Sequence, residues 1–435
     1  MTGKQMQLAA VILLMSALCC AQAFYHARTD LKPIKPIKMT WSRANVIVVD
    51  PNFGSQIVRM TDRTTFQNRS LQTADSGTPN LWNKDSTMLV VRDTNATSLV
   101  MSFDPATMKS RLRTDWQYAF ETRSLSFSHL DPQILFLLTS AHSDGPKTIL
   151  QRVDFRQQKI SEVYDFANCL PPSVQINWSG TLSVNNDDTV FTAALSDNGQ
   201  DLGIYAGTYT IGQGCRVLNT KTGEVTGDWG PSGKISVPDR FGLHAMSASA
   251  GGDVAILSSG KCWTACADGP YFWNIPTLNV KAGVDLGHSA KGYLQLITAE
   301  HFGQWRAQPY DDPTDNRTVI PARMLPSNVR GDKHASWNNV DPNDLNPFFS
   351  TNSRPWPPEA PWEDEVIGVD PVSGIVYRFS STYNSGRSRY FIGKYAVGVV
   401  SQDGKFLAFT SDALKTLGLD AKGRHRVDVF VVRLE

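Results

Sequence analysis

The chain of 435 residues carries 42 lysines and arginines against 41 aspartates and glutamates, so it lacks the basic excess of a nucleic-acid-binding protein. Hydrophobic residues make up 41% and charged residues 19%, which excludes a disordered chain. With 32 glycines, 24 prolines and 10% aromatic residues, the composition favours turn-rich β structure.

The N-terminus reads as an address. Lys4 precedes an apolar run from Leu8 to Leu18, and Ala21-Gln-Ala23 supplies a small-x-small site, so residues 1–23 form a secretory signal peptide cleaved after Ala23. The run is shorter than the roughly 20 residues a membrane-spanning helix needs, and no later segment is long and apolar enough to be one. A secreted or periplasmic protein follows. Residues 24–40, with Lys32-Pro-Ile-Lys-Pro-Ile37, are expected to be an extended spacer, and residues 41–435 a single domain. Outside the signal peptide remain Cys169, Cys215, Cys262 and Cys266; in an oxidising compartment an even number points to disulfides. The short spacing favours Cys262–Cys266, which leaves Cys169–Cys215. A zinc site is disfavoured because the spacing is not a standard one and no histidine lies close in sequence.

From there the chain repeats a unit: a short strand, a polar turn, a hydrophobic strand, a gap and a further strand. The clearest copy is Val397 to Ser411, where Asp403-Gly404 forms a tight hairpin turn and Phe406 to Thr410 is expected to alternate. Taking Ser401 as the turn marker, its counterparts are Asn83, Ser128, Asn185, Ser249 and Asn339. The interval from Ser249 to Asn339 holds room for two units, and Gly287 to Ile297 supplies the missing one. Seven units of near 50 residues predict an all-β, seven-bladed β-propeller, with eight blades as the alternative. Ala44 to Asp50 and Gln56 to Met60 read as outer strands without inner ones, whereas Val427 to Arg433 ends the last unit without outer ones. An N-terminal strand that completes the last blade would remove the exposed edges. Helical periodicity is nearly absent; Asp412 to Asp420 is a turn or two.

Ser401-Gln-Asp-Gly-Lys-Phe-Leu-Ala-Phe-Thr-Ser-Asp412 resembles the turn of TolB-type (WD40-like) β-propeller repeats, and Asn45 to Asp50 with Arg59-Met-Thr-Asp62 is similar to the outer strand pair of such a repeat. The resemblance implies the propeller fold and a secreted or periplasmic life, not an activity.

Three histidines recur with the repeat: His244, His288 and His334, spaced by about one blade each. His244 and His334 each lie five residues before their turn marker, at the start of the innermost strand, where three imidazoles would converge at one mouth of the channel. Neutral imidazoles are ligands for divalent transition metals, Mn or Zn here. The corresponding position of the second unit is Arg123, and Lys291 and Lys333 add positive charge. Such a mouth suits an anionic saccharide, with Arg123 as the bidentate clamp of a carboxylate. The arrangement is similar to the oligogalacturonate lyase class of propeller enzymes. That resemblance implies metal ligation by His244, His288 and His334, and Arg123 as catalytic base or clamp in a metal-assisted elimination.

The bland alternative is that each histidine holds a loop by hydrogen bonds to neighbouring backbone. His129, in the turn after Ser128, is expected at the surface. Ser258-Ser-Gly-Lys261 fits a Ser-x-x-Lys pattern but follows a strand and lacks companion motifs. Two functions of different class are therefore expected: a monomeric propeller binding an anionic carbohydrate at a histidine-lined mouth, with or without lyase chemistry, or a non-catalytic scaffold for protein partners.

Overall fold

The computed structural model describes residues 27–74, 79–95, 97–116, 125–139, 148–197, 203–236, 240–262, 270–283, 289–293, 295–298, 305–315, 317–321, 332–339, 347–353, 358, 360–386 and 396–435. Among these residues the strands form seven antiparallel sheets that follow one another along the chain. The first is Leu71–Gln72, Met88–Asp93, Ser98–Asp104 and Lys109–Leu112; the second is Leu125–Phe127, Ile134–Leu138, Ile149–Asp154 and Lys159–Asp165. The third begins Trp178–Val184, Val190–Ser196, Tyr205–Thr210 and Gly214–Asn219, and carries an extra hairpin of Glu224–Gly227 and Gly233–Lys234. The fourth runs Phe241–Ala248, Val254–Cys262, Pro270–Asn274 and Val280–Ala282. The fifth, Ala290–Lys291, Gln295–Thr298, Trp305–Gln308 and Arg317–Ile320, fills the long interval between Ser249 and Asn339. The sixth is Asp332–Ser336, Phe348–Ser353, Glu365–Val369 and Val376–Ser381.

The seventh sheet is built from both ends of the chain. Gly398–Val400, Phe406–Ser411 and Asp428–Arg433 are followed by Gln56–Arg59 and then Ile47–Val49 at the outer edge. First strands touch first strands across sheets: Leu125–Phe127 meets Trp178–Val184, which meets Phe241–Ala248, and Asp332–Ser336 meets Gly398–Val400. They are the innermost strands of a β-propeller-type fold.

The cores lie between neighbouring sheets. Ile134, Leu138 and Leu150 pack on Leu182, Phe191 and Leu195; Trp305 and Ile320 pack on Trp337, Ile367 and Val376. Each middle strand is therefore covered on both faces. Val190–Ser196 and Phe406–Ser411 are buried at every position, so Phe406 to Thr410 does not alternate between core and solvent as expected. Sheets stacked face to face favour a continuous apolar run, as in other doubly covered sheets.

Four of the six turn markers share one physical job. Asn83 Oδ1 accepts from the Met88 N–H (2.8 Å), Asn185 Oδ1 from Val190 N–H (2.8 Å), and Ser401 Oγ from Phe406 N–H (3.0 Å). Ser249 Oγ accepts from Val254 N–H at 3.2 Å. Each short polar side chain holds the connection from the innermost strand to the next.

The segment read as a spacer lies against the domain. Arg28 and Arg378 exchange two backbone hydrogen bonds, and Arg378 donates to the Asp30 carbonyl (2.7 Å) while forking onto the Glu365 carboxylate at 2.6 and 2.8 Å. Ile34 is buried there as well. The short 3-10 turn Ala413–Lys415 is the sole helical feature between Asp412 and Asp420.

Candidate functional site

Phe241–Ala248, the innermost strand of the fourth sheet, is buried at every position but two, and His244 is its only exposed side chain. The pairing with Val254–Cys262 shifts on both sides of this residue: Leu243 opposes Ser259 and Ala245 opposes Ser258, so His244 is the extra residue of a β-bulge. A bulge re-aims one side chain out of the ladder. The strand is held from the third sheet, where Thr181 Oγ1 accepts from Met246 N–H (3.1 Å) and Ser183 Oγ from Ala248 N–H (3.2 Å). Thr181 sits at φ 55°, an unfavourable backbone region for a β-branched residue, at a register shift of its own strand.

Three residues beyond His244, Ser247 Oγ accepts from Lys291 Nζ at 3.3 Å. Lys291 lies on the innermost strand of the fifth sheet and is partly buried. Desolvation lowers its ammonium pKa from 10.5 to about 8. Ser247 is a partner that sequence reasoning missed, because hydroxyl residues are too common on these strands to single one out.

His334 lies on the innermost strand of the sixth sheet, opposite Thr351, and is 2% exposed. The two described histidines thus share a strand type but differ in environment, one solvent-facing and one enclosed. His288, Arg123 and Cys266 lie outside the described residues, as do the side chains of Lys333 and Cys262; the backbone of Lys333 pairs with Asn352 and that of Cys262 with Phe241.

The opposite end of the innermost strands, about five residues or some 16 Å further along, is laced together by the turns. Gln402 Nε2 donates to the carbonyls of Trp82 (3.0 Å) and Ser128 (3.1 Å), joining the seventh sheet to the first and second. Lys84 Nζ reaches the Leu130 carbonyl (3.1 Å). Asp188 accepts from Ser128 Oγ (2.5 Å), His129 N–H (2.9 Å) and Leu130 N–H (3.3 Å). Asn186 Nδ2 donates to the Tyr293 hydroxyl (3.1 Å). His129 is therefore not at the surface as expected. It is partly buried in this lacework, where desolvation lowers its pKa against the pull of the Asp188 charge and of hydrogen bonds to Gln402 and Val184.

Cys169 and Cys215 form a disulfide, with Cα atoms 6.2 Å apart. It ties the turn leaving the second sheet to the fourth strand of the third. Among the described residues, the sulfurs of Cys169 and Cys215 and a carboxylate oxygen of Asp228 form a group of metal-type donors within 4.8 Å of one another. Joined as a disulfide, the sulfurs carry no thiolate, so this group does not fit a metal in the oxidised protein. Tyr164 donates to Cys215 Sγ (3.1 Å), and its pKa is pushed up to about 12, first by desolvation and then by the Asp228 charge.

No protein-family model matches the chain, and no curated protein does either. The fold is similar to the crystal structure of an oligogalacturonate lyase from Vibrio parahaemolyticus, with a TM-score of 0.53 at 12% identity over 94% of this chain and 98% of that one. Lower likeness is found to the β-propeller domain of Cps50 (Swd1) from Myceliophteria thermophila, with a TM-score of 0.43 at 12% identity over 83% of this chain and 98% of that one. TolB from Acinetobacter baumannii gives a TM-score of 0.36 at 11% identity over 62% and 60%. The likeness to the lyase spans nearly the whole chain and carries the fold. Among the described residues no helix is long and apolar enough to cross a membrane.

Proposed function

We propose that the protein is a secreted or periplasmic seven-bladed propeller that binds an anionic carbohydrate at the channel mouth where the innermost strands begin. The observation that carries this is His244, the one exposed side chain on its innermost strand, turned out by a β-bulge and three residues from the Ser247–Lys291 contact. The opposite end is crossed by side-chain hydrogen bonds, which disfavours it as the approach to the axis.

His244, His288 and His334 are the imidazoles that would hold Mn or Zn; the fit rests on donor chemistry, since imidazoles at one repeat position suit either ion. A metal bound there would polarise a uronate carboxylate and acidify the adjacent C–H. The roles of the chain's own cations then divide. A guanidinium keeps its proton, so Arg123 serves as a carboxylate clamp more readily than as a base. Lys291, with its pKa lowered to about 8, is partly neutral at mildly alkaline pH and is the better proton acceptor. Lys333 adds positive charge for the ligand.

Elemental analysis of the purified protein beside the His244→Ala/His334→Ala variant tests the proposal. Stoichiometric metal, lost in the variant, is the expected result, followed by release of unsaturated uronic-acid products from acidic polysaccharide. Absence of metal from both proteins, with chelation leaving the thermal midpoint unchanged, overturns the metal site. That result would leave the second reading, a non-catalytic scaffold for protein partners, which the outer strand favours by exposing Ile47 (40%) and Val49 (58%).

A further inference from the structure

A cleft of about 920 Å³ opens on the outer rim between the seventh and first sheets, far along the chain from His244, His288 and His334. Its rim carries Arg43, Lys109, Arg111 and Arg113. Arg113 is committed: it forks onto Asp115 at 2.5 and 3.1 Å and lies over the Phe155 ring, and its donation holds the Asp115 carboxyl below the usual range. The other three cations have no carboxylate within 4 Å among the described residues. Of the nearby acids, Asp115 feels the Arg111 charge and Asp104 that of Lys109, though hydrogen bonds to other groups act on both carboxylates more strongly. Asp62 accepts from Ala44 N–H (2.8 Å) and from the Thr64 hydroxyl (2.6 Å), while Asp104, across the hairpin from Lys109, accepts from Ala106 N–H (3.0 Å) and the Thr107 hydroxyl (2.5 Å).

The floor is built as well. Asn45, held at φ 67°, points its amide at the open edge of Lys109–Leu112 as a substitute peptide: Nδ2 donates to the Ser110 carbonyl (3.0 Å) and Oδ1 accepts from the Ser110 N–H (2.6 Å). The Ser110 hydroxyl closes the joint on the Met60 carbonyl (2.8 Å). With Ser110 satisfied in this way, a peptide that added a strand along this edge would have to displace Asn45, which disfavours the main route by which extended peptides bind sheet edges. Among the described residues no aromatic ring lines the cleft, and so none of them offers the stacking platform that a single-stranded nucleic acid uses. What is left is side-chain recognition of negative charge by guanidinium and ammonium groups, bordered by the Thr114 hydroxyl, since those of Thr64 and Ser102 donate to Asp62 and to the Arg111 carbonyl. Lys109 and Arg111 are alternate residues of one strand, about 6.7 Å apart, which suits a ligand with charges repeated along its length.

We propose that this cleft is a binding site for a linear polyanionic saccharide, separate from the channel mouth. The probe is a dextran sulfate oligomer, titrated beside uncharged dextran and polyglutamate. The wild-type protein is expected to bind dextran sulfate with an affinity that falls steeply with salt. The Arg43→Ser/Lys109→Ser/Arg111→Ser variant should bind at least tenfold more weakly and with a shallower salt dependence, its thermal midpoint unchanged. A charge-matched variant elsewhere, Lys159→Ser/Lys221→Ser/Lys234→Ser, should retain wild-type affinity. The His244→Ala/His334→Ala protein should also retain it, which keeps this site distinguishable from the channel. Equal losses in the two lysine–arginine variants, or polyglutamate or plain dextran binding as tightly as dextran sulfate, would overturn the proposal.

Discussion

An ammonium group between two innermost strands gives up hydration that one hydroxyl partner only partly replaces, and Lys291 records that in its depressed pKa. Unfolded, the group titrates near 10.5, and folded near 8, so between those values the unfolded chain binds more protons. The contribution of Lys291 to stability therefore rises with pH from about 8 to 10.5 and is unfavourable below it. Lys291→Met should be more stable than wild type at pH 7 and lose that advantage by pH 10.5, read from urea midpoints across the series. Rates of amine acylation mapped by mass spectrometry should place the Lys291 midpoint near 8, well below the ordinary lysine value of 10.5. A midpoint at the ordinary lysine value would mean that the amine is hydrated. Single residues were unevenly readable in the sequence. Asn83, Asn185, Ser249 and Ser401 stood out because a turn needs a short polar cap at a fixed place. His129 did not: its burial comes from Gln402 and Asp188, which are distant in sequence, and nothing local announces them.

At the scale of elements, the repeat was legible where strands are long and blurred where they are short. The inner hairpin of the fifth sheet consists of Ala290–Lys291 and Gln295–Thr298, too brief for a periodic signal. The extra hairpin of the third sheet was hidden in a merely long interval between markers. Cysteine parity did reach Cys169–Cys215, because an oxidised pair needs no periodicity. That bond staples the Phe166–Cys169 turn to Gly214–Asn219 across a sequence separation of 46, and by loop entropy it should be worth roughly 2–4 kcal/mol. Cys169→Ser/Cys215→Ser should lower the urea midpoint accordingly with little change in slope. A variant as stable as wild type would show that the Tyr164–Tyr209 stack (4.2 Å) and the Phe166 contacts hold the turn without the bond. Gly214, at φ 102° with the Asp228 carboxylate where a Cβ would stand, should tolerate alanine poorly, at a cost above about 1 kcal/mol.

For the whole molecule the decisive joint is the seventh sheet, the one place where strands from the two ends of the chain pair with each other among the described residues. The outer strands at residues 44–60 were recognisable as strands lacking inner partners, and closure followed from that imbalance. What fastens it was not visible. Asp428, fully buried, accepts from Arg59 at 2.6 and 3.1 Å, from Arg426 at 2.9 and 3.1 Å and from the Thr61 hydroxyl at 3.1 Å. Arg426 in turn donates to Asn68 Oδ1 (3.0 Å) and the Arg69 carbonyl (2.8 Å), so one carboxylate joins the last strand to the N-terminal strand and to the approach to the first sheet. Asp428→Asn would leave two buried guanidinium groups short of their counter-charge, and the expected cost is about 3–5 kcal/mol. Because Gln56–Arg59 closes the ring, that loss should fall on the cooperative unfolding of the entire domain. Amide exchange should then quicken in sheets remote from the substitution, such as Val190–Ser196, by the same free energy as in Asp428–Arg433. Faster exchange confined to Gln56–Arg59 and Ile47–Val49, with the rest unchanged, would instead make the closure a local clasp on sheets that stand without it.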